Sequence, residues 1–180
     1  MQLTAQHTLI FQHLPDQVHP TWQAVAAFVQ QHIPGAGRSL IFKIKVIVTE
    51  LLTNSIKHAG HGPTKLSLAI NEGRLIIQKT DAGTAFSASA EEDIKWEWPL
   101  TIIPHHPIKL YADMLTGLFV TVTSPHSLHF FSEDYEIGAD APTVISEHYG
   151  LMMICRACDN FTYHFDAVTR HNIFTAIINL

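Results

Sequence analysis

Hydrophobic and polar positions along the chain change period several times, and each change marks an element. Residues 3–13, with Leu9, Ile10 and Phe11, predict an opening strand closed by Pro15 and Asp16. From about Pro20 to His32, residues Trp22, Val25, Ala26, Phe28 and Val29 recur at helical spacing. Ile33-Pro34-Gly35-Ala36-Gly37 ends that helix, because proline and glycine both break it. A second helix is expected from Gly37 or Ser39 to His58 or Ala59, stopped by Gly60-His61-Gly62-Pro63. Residues 65–70 alternate in steps of two, Asn71-Glu72-Gly73 turns, and residues 74–80 run back as the second arm of a hairpin. Residues 118–122 and 128–131 flank Ser124-Pro125-His126 and suggest another hairpin inside a long irregular insert, 87–149. A helix from Gly150 to about Asp159 and two strands, 161–165 and 172–178, close the chain. Strand, helix, helix, hairpin, insert, helix, hairpin predicts an α/β (α+β) two-layer sandwich. Its sheet is a mostly antiparallel mixed sheet with helices on one face.

Composition narrows the class. Hydrophobic residues make up 47% of 180 and charged residues 15%, which predicts a folded chain, one domain over 1–180, rather than disorder. A net charge of −5 without a basic block argues against a sequence-independent grip on nucleic acid. No apolar run approaches the ~20 residues that span a bilayer. Residues 1–7 lack the charged and apolar regions of a leader, so no membrane attachment and a cytoplasmic location are expected. Cys155 and Cys158 form a C-x-x-C within an apolar run, and with no other cysteine to complete a zinc site they read as buried structural thiols. The 13 histidines are scattered, without a His-x-x-x-His pair, so no histidine-based metal site is expected.

The candidate chemistry lies on the second helix. At ~100° per residue, Glu50, Asn54, Lys57 and His58 share one flank, while Ile44, Val48, Leu51, Leu52, Ser55 and Ala59 share the other. A solvated helix face would show the same spacing. The distinguishing feature is four different chemistries, a carboxylate, an amide, an ammonium and an imidazole, within about two turns. After the hairpin, Asp81-Ala82-Gly83-Thr84-Ala85-Phe86 places an aspartate at a strand end before small residues, where a flat ligand can approach the backbone. Gly150 opens a later helix whose N-terminus would favour an anion.

Together these stretches resemble the GHKL superfamily of gyrase, heat-shock chaperone, histidine-kinase and mismatch-repair ATPases, with the nearest likeness to anti-sigma-factor serine/threonine kinases. Residues 50–59 resemble the family's N box, residues 81–86 its first glycine box, and residues 150–154 the tail of its second. The resemblance implies a Bergerat-type ATP-binding fold, ATP (or ADP) and Mg2+ as cofactors, and a position-by-position site. Glu50 would be the catalytic base and Asn54 the metal ligand, with Lys57 and His58 along the phosphates. Asp81 would accept from the adenine amino group, Gly83 and Ala85 would admit the ring, and Gly150 and the amide of Leu151 would face the phosphates. The chain departs from that pattern in its single glycine at 150 and in the 66 residues between Gly83 and Gly150. The bulky content of that long lid, about 87–147, predicts a packed subdomain rather than a flap. The expectation is an ATP-binding regulatory protein. It is either a Mg-ATP-dependent serine/threonine kinase or a non-catalytic or degenerate module that works by protein binding. A sigma factor or anti-sigma antagonist type of protein is the expected partner, and homodimerisation is left open.

Overall fold

The computed structural model describes residues 3–89, 95–135 and 148–180. Two helices follow the first strand: β1 (Leu3–Phe11), a 3-10 turn (Pro15–Gln17), α1 (Val18–His32) and α2 (Arg38–His58). A hairpin of β2 (Thr64–Asn71) and β3 (Arg74–Ala82) comes next. Then come the short strands β4 (Ser87–Ser89) and β5 (Lys95–Glu97), and three more, β6 (Ile108–Ala112), β7 (Thr116–Ser124) and β8 (Ser127–Asp134). The chain closes with α3 (Tyr149–Ala157), β9 (Asn160–Asp166) and β10 (His171–Asn179). Eight strands form one sheet in the order β1-β2-β3-β10-β9-β8-β7-β6, and β4 pairs with β5 separately. Every neighbouring pair in the large sheet is antiparallel, so the expected parallel component is missing among the described residues.

The two-layer arrangement follows from which faces are apolar. On α2 the flank Ile44, Ile47, Val48, Leu51, Leu52 and Ser55 is buried. Ser55 resolves its hydroxyl by donating to the Leu51 carbonyl at 3.1 Å. α1 adds Val25, Phe28 and Val29 to the same core. Beneath them β2 and β3 alternate between buried positions and half-buried ones, Lys65 being exposed. Leu66, Leu68, Leu75 and Ile77 lie under the helices, each fully removed from water and contributing about 1.5–3 kcal/mol.

The insert is more regular than its sequence suggests. Its hairpin forms, one or more residues longer at each end than the apolar runs imply. β8 then zips onto β9, with Phe130 opposite Phe161 and their rings stacked at 4.6 Å. β6 adds a further strand that the pattern concealed, because Leu110, Tyr111 and Ala112 are consecutive buried residues with no alternation. β4 and β5 have three residues each, too short for a period to show. The β6–β8 part of the insert thus widens the main sheet instead of forming a separate subdomain, while 90–94 and 136–147 of the expected lid lie outside the described residues. α3 is fastened to it: Arg156 Nη1 donates to Asp134 Oδ1 at 2.5 Å and to Thr116 Oγ1 at 3.0 Å. Cys155 and Cys158 are free thiols and half-buried rather than fully buried as expected; burial pushes both up, Cys158 to about 12.

Candidate functional site

The polar flank of α2 does not face open solvent. Glu50, Asn54, Lys57 and His58 all line one cavity of ≈ 440 Å3, inside the roughly 300–1,000 Å3 of small-ligand sites. Glu50 and Asn54 are half-buried, whereas Lys57 and His58 are exposed at the last turn of the helix. His58 is exposed as a residue, yet partial burial of its ring, and then the neighbouring Lys57 and Lys79 charges, hold the imidazole below its usual range.

The floor is made by β3 and β10, which are direct neighbours. Alternation along β3 turns Leu75, Ile77, Lys79 and Asp81 to the helix side, and along β10 it turns Asn172, Phe174, Ala176 and Ile178 there. The core is apolar at one end of these strands and polar at the other. Asp81 stands opposite Asn172, and Lys79 opposite Phe174. Lys79 Nζ lies 2.5 Å from Asp81 Oδ2, and both residues are 3% exposed. Asn172 Nδ2 donates to Asp81 Oδ1 at 3.3 Å and to the Thr84 carbonyl at 3.1 Å. Tyr163 holds that amide in turn: its hydroxyl donates to Asn172 Oδ1 at 2.8 Å and accepts from the Phe86 N–H at 2.9 Å. Burial pushes the Tyr163 hydroxyl far up, so it stays a donor. Phe86 is the apolar hub of the wall, with its ring centroid 5.7 Å from His148, 5.5 Å from Tyr163 and 6.1 Å from Phe174.

α3 closes the remaining side. His148 caps it from the left-handed region (φ 64°), and His148, Tyr149, Gly150 and Leu151 all line the cavity. Gly150 is pressed against α2: a Cβ there would sit 2.5 Å from Glu50 Oε2 and 3.8 Å from Asn54 Oδ1. The first turn of α3 therefore faces two side-chain oxygens of α2. Hard oxygens of this kind suit Mg2+, and the positive end of the helix favours nearby negative charge.

All the sequence-predicted site residues except Gly83 line the cavity, Ala85 included. Gly83 lies beside it, and its missing side chain serves a different contact. A Cβ at Gly83 would meet Gly60 N at 3.0 Å and the His58 carbonyl at 3.4 Å, so the glycine lets the end of β3 lie against the end of α2. Gly60 N donates to the Ala82 carbonyl at 2.7 Å across this junction. Lys79, Phe86, His148, Asn172 and Phe174 are cavity residues that sequence reasoning missed. A usable signal existed for two of them. Lys79 and Asn172 occupy positions that strand alternation assigns to the core, where an unexplained polar group marks a site.

Residues 11–103 match the histidine kinase-like ATPase domain family. The match covers more than half of the chain and includes α2, the Asp81 strand and Gly83, and the chain belongs to that family. No curated protein gives a match to it. Among the described residues, no helix is long and apolar enough to cross a membrane.

Proposed function

We propose that the cavity binds ATP or ADP with Mg2+, and that the chain is a regulatory serine/threonine protein kinase of the anti-sigma-factor type. The observation that carries this reading is convergence: Glu50, Asn54, Lys57, His58, Asp81 and Gly150 come from three separate stretches and border one cavity. The residues fit the ligand. Asn54 Oδ1 would offer a hard oxygen to Mg2+, the first turn of α3 would face the phosphates, and Phe86 and Phe174 would supply apolar wall for a base. Bound Mg-ATP supplies an activated phosphoryl group. The protein's own share is positional. Glu50 takes the proton from an attacking hydroxyl, and Asn54 holds the metal. Lys57 and His58 at the rim would lie along the phosphates, Asp81 would read the base, and Phe86 and Phe174 would keep water from the floor. The whole chain, 1–180, is one such domain. It acts in the cytoplasm on a sigma factor or anti-sigma antagonist, alone or as a homodimer.

A second reading, a nucleotide-switched binding module without phosphoryl transfer, is favoured by the insert. Among its described residues, β6–β8 are built into the sheet and α3 is tied to them through Arg156. Thermal-shift titration with ATP, with and without Mg2+, tests the shared claim. Ligand at 100-fold over its dissociation constant stabilises by about 2.7 kcal/mol, and no shift would refute both readings. Transfer of labelled phosphate to a serine or threonine, lost in Glu50→Gln while binding persists, separates the kinase from the module.

A further inference from the structure

The buried Lys79 has no role in the site described so far. Its side chain is 4% exposed and lies in the wall of the cavity, two residues before Asp81 on the same face of β3. An ammonium carries three N–H donors. Among the described residues Asp81 is its one acceptor, at 2.5 Å, and the Phe174 ring stands 4.9 Å from Nζ on another side. Burial lowers its affinity for a proton, which the Asp81 carboxylate partly restores. The other N–H groups meet no acceptor among the described residues, and Asp81 Oδ2 is buried with no hydrogen bond beyond this ion pair, so both groups have capacity left for a ligand at the cavity floor. The N–H groups call for an acceptor atom on whatever lies against Asp81.

We propose that Lys79 is a specificity-determining residue that donates to ring nitrogen N1 of a 6-aminopurine while Asp81 accepts from the 6-amino group. This rests on the nucleotide reading above and extends it. On the edge of adenine the amino donor and the N1 acceptor are adjacent. On β3 the carboxylate and the ammonium are adjacent in the complementary sense. Asn172 and Tyr163 fix the carboxylate from the other side, so the pair can be read as a unit. A 6-oxopurine reverses both groups, presenting an oxygen to the carboxylate and an N–H to the ammonium. Lys79 thereby turns single-point recognition of the amino group into two-point recognition of the base edge.

Isothermal titration of the full chain with ADP and with 1-deaza-ADP, in which N1 is replaced by C–H, tests this. A lost hydrogen bond to a charged group predicts that 1-deaza-ADP binds the wild type about 10- to 100-fold more weakly. A loss of less than about tenfold overturns the proposal. In Lys79→Met, checked for its fold by circular dichroism, the ratio of the two affinities should fall below about threefold. A ratio that keeps its wild-type value overturns it as well. The wild-type comparison stands even where the variant does not fold. If ADP itself fails to bind, the nucleotide reading falls too, which distinguishes that failure from equal binding of both ligands.

Discussion

Replacing Gly150 by alanine should separate stability from function. The new Cβ would sit 2.5 Å from Glu50 Oε2, roughly an ångström inside normal contact. The atom it meets is the tip of a flexible side chain, so the cost is a displaced carboxylate, about 0.5–1.5 kcal/mol for an off-rotamer torsion. Against this stands the helix propensity of alanine over glycine, up to about 1 kcal/mol and less in a first turn. The two nearly cancel, and the melting temperature of the free protein should move by no more than about 2–4 °C. The site is far less tolerant. A misplacement of about 1 Å at a reacting group costs about 100-fold in rate, and Asn54 Oδ1 lies only 3.8 Å from the same Cβ position. Differential scanning fluorimetry of the free protein, paired with Mg2+-dependent ADP titration and phosphate-transfer assays, measures both sides. Glu50→Ala removes the obstructing atoms, so adding Gly150→Ala to it should change little more, a non-additive pair. A large fall in melting temperature would refute the geometry. Unchanged Mg2+-dependent binding and turnover in the single variant would refute the claim that the first turn of α3 organises Glu50 and Asn54.

Asp81→Asn should remove ADP binding and also destabilise by about 3–5 kcal/mol, because it strands a buried ammonium. Converting the pair together, Lys79→Met with Asp81→Leu, should recover most of that stability without binding, as read by urea unfolding. Tyr163→Phe should cost about 1–3 kcal/mol by urea unfolding and weaken ADP, since the Phe86 N–H and the Asn172 amide both lose a partner. The lowered His58 pKa has a definite sign. The unfolded chain takes up a proton near pH 6.5 before the folded one does, so stability falls as pH drops through that value. Phosphate beside His58 should pull its titration back up, visible as an ADP-dependent shift of its ring resonances in NMR. Gly83→Ala, in contrast to Gly150→Ala, meets backbone at 3.0 Å and should lower the melting temperature outright.

Half of the site was legible because it is written on a helix. The spacing of Glu50, Asn54, Lys57 and His58 needs only 3.6 residues per turn to place them together, and the same period explains why Leu51, Leu52 and Ser55 face the core. Asp81 was legible from its strand end. The partners of Asp81 were not, because they depend on sheet register. Nothing local tells Asp81 that Asn172 lies opposite it, or Lys79 that Phe174 does. Gly83 shows a subtler failure, since the sequence marks a position without a side chain but not the direction in which one would have pointed. The insert was illegible for a third reason. β6 and the first half of β7 are buried on successive residues, so the period of two that identifies a strand is erased.

Asp81 and Asn172 stand 91 positions apart in the chain yet share the cavity floor. β10 is the strand between β3 and β9, so a segment far along the chain from β3 is threaded into the middle of the sheet. Until it arrives, Lys79 and Asp81 face an open edge, with neither the Asn172 amide nor the Phe174 ring beside them. The segment that carries the family's pattern, 11–103, therefore holds the β3 half of the pocket floor without its β10 half. Pairings of such long sequence separation are slow to form. For this chain, ligand-binding competence should be among the last properties gained in folding, appearing only when β10 has paired with β3.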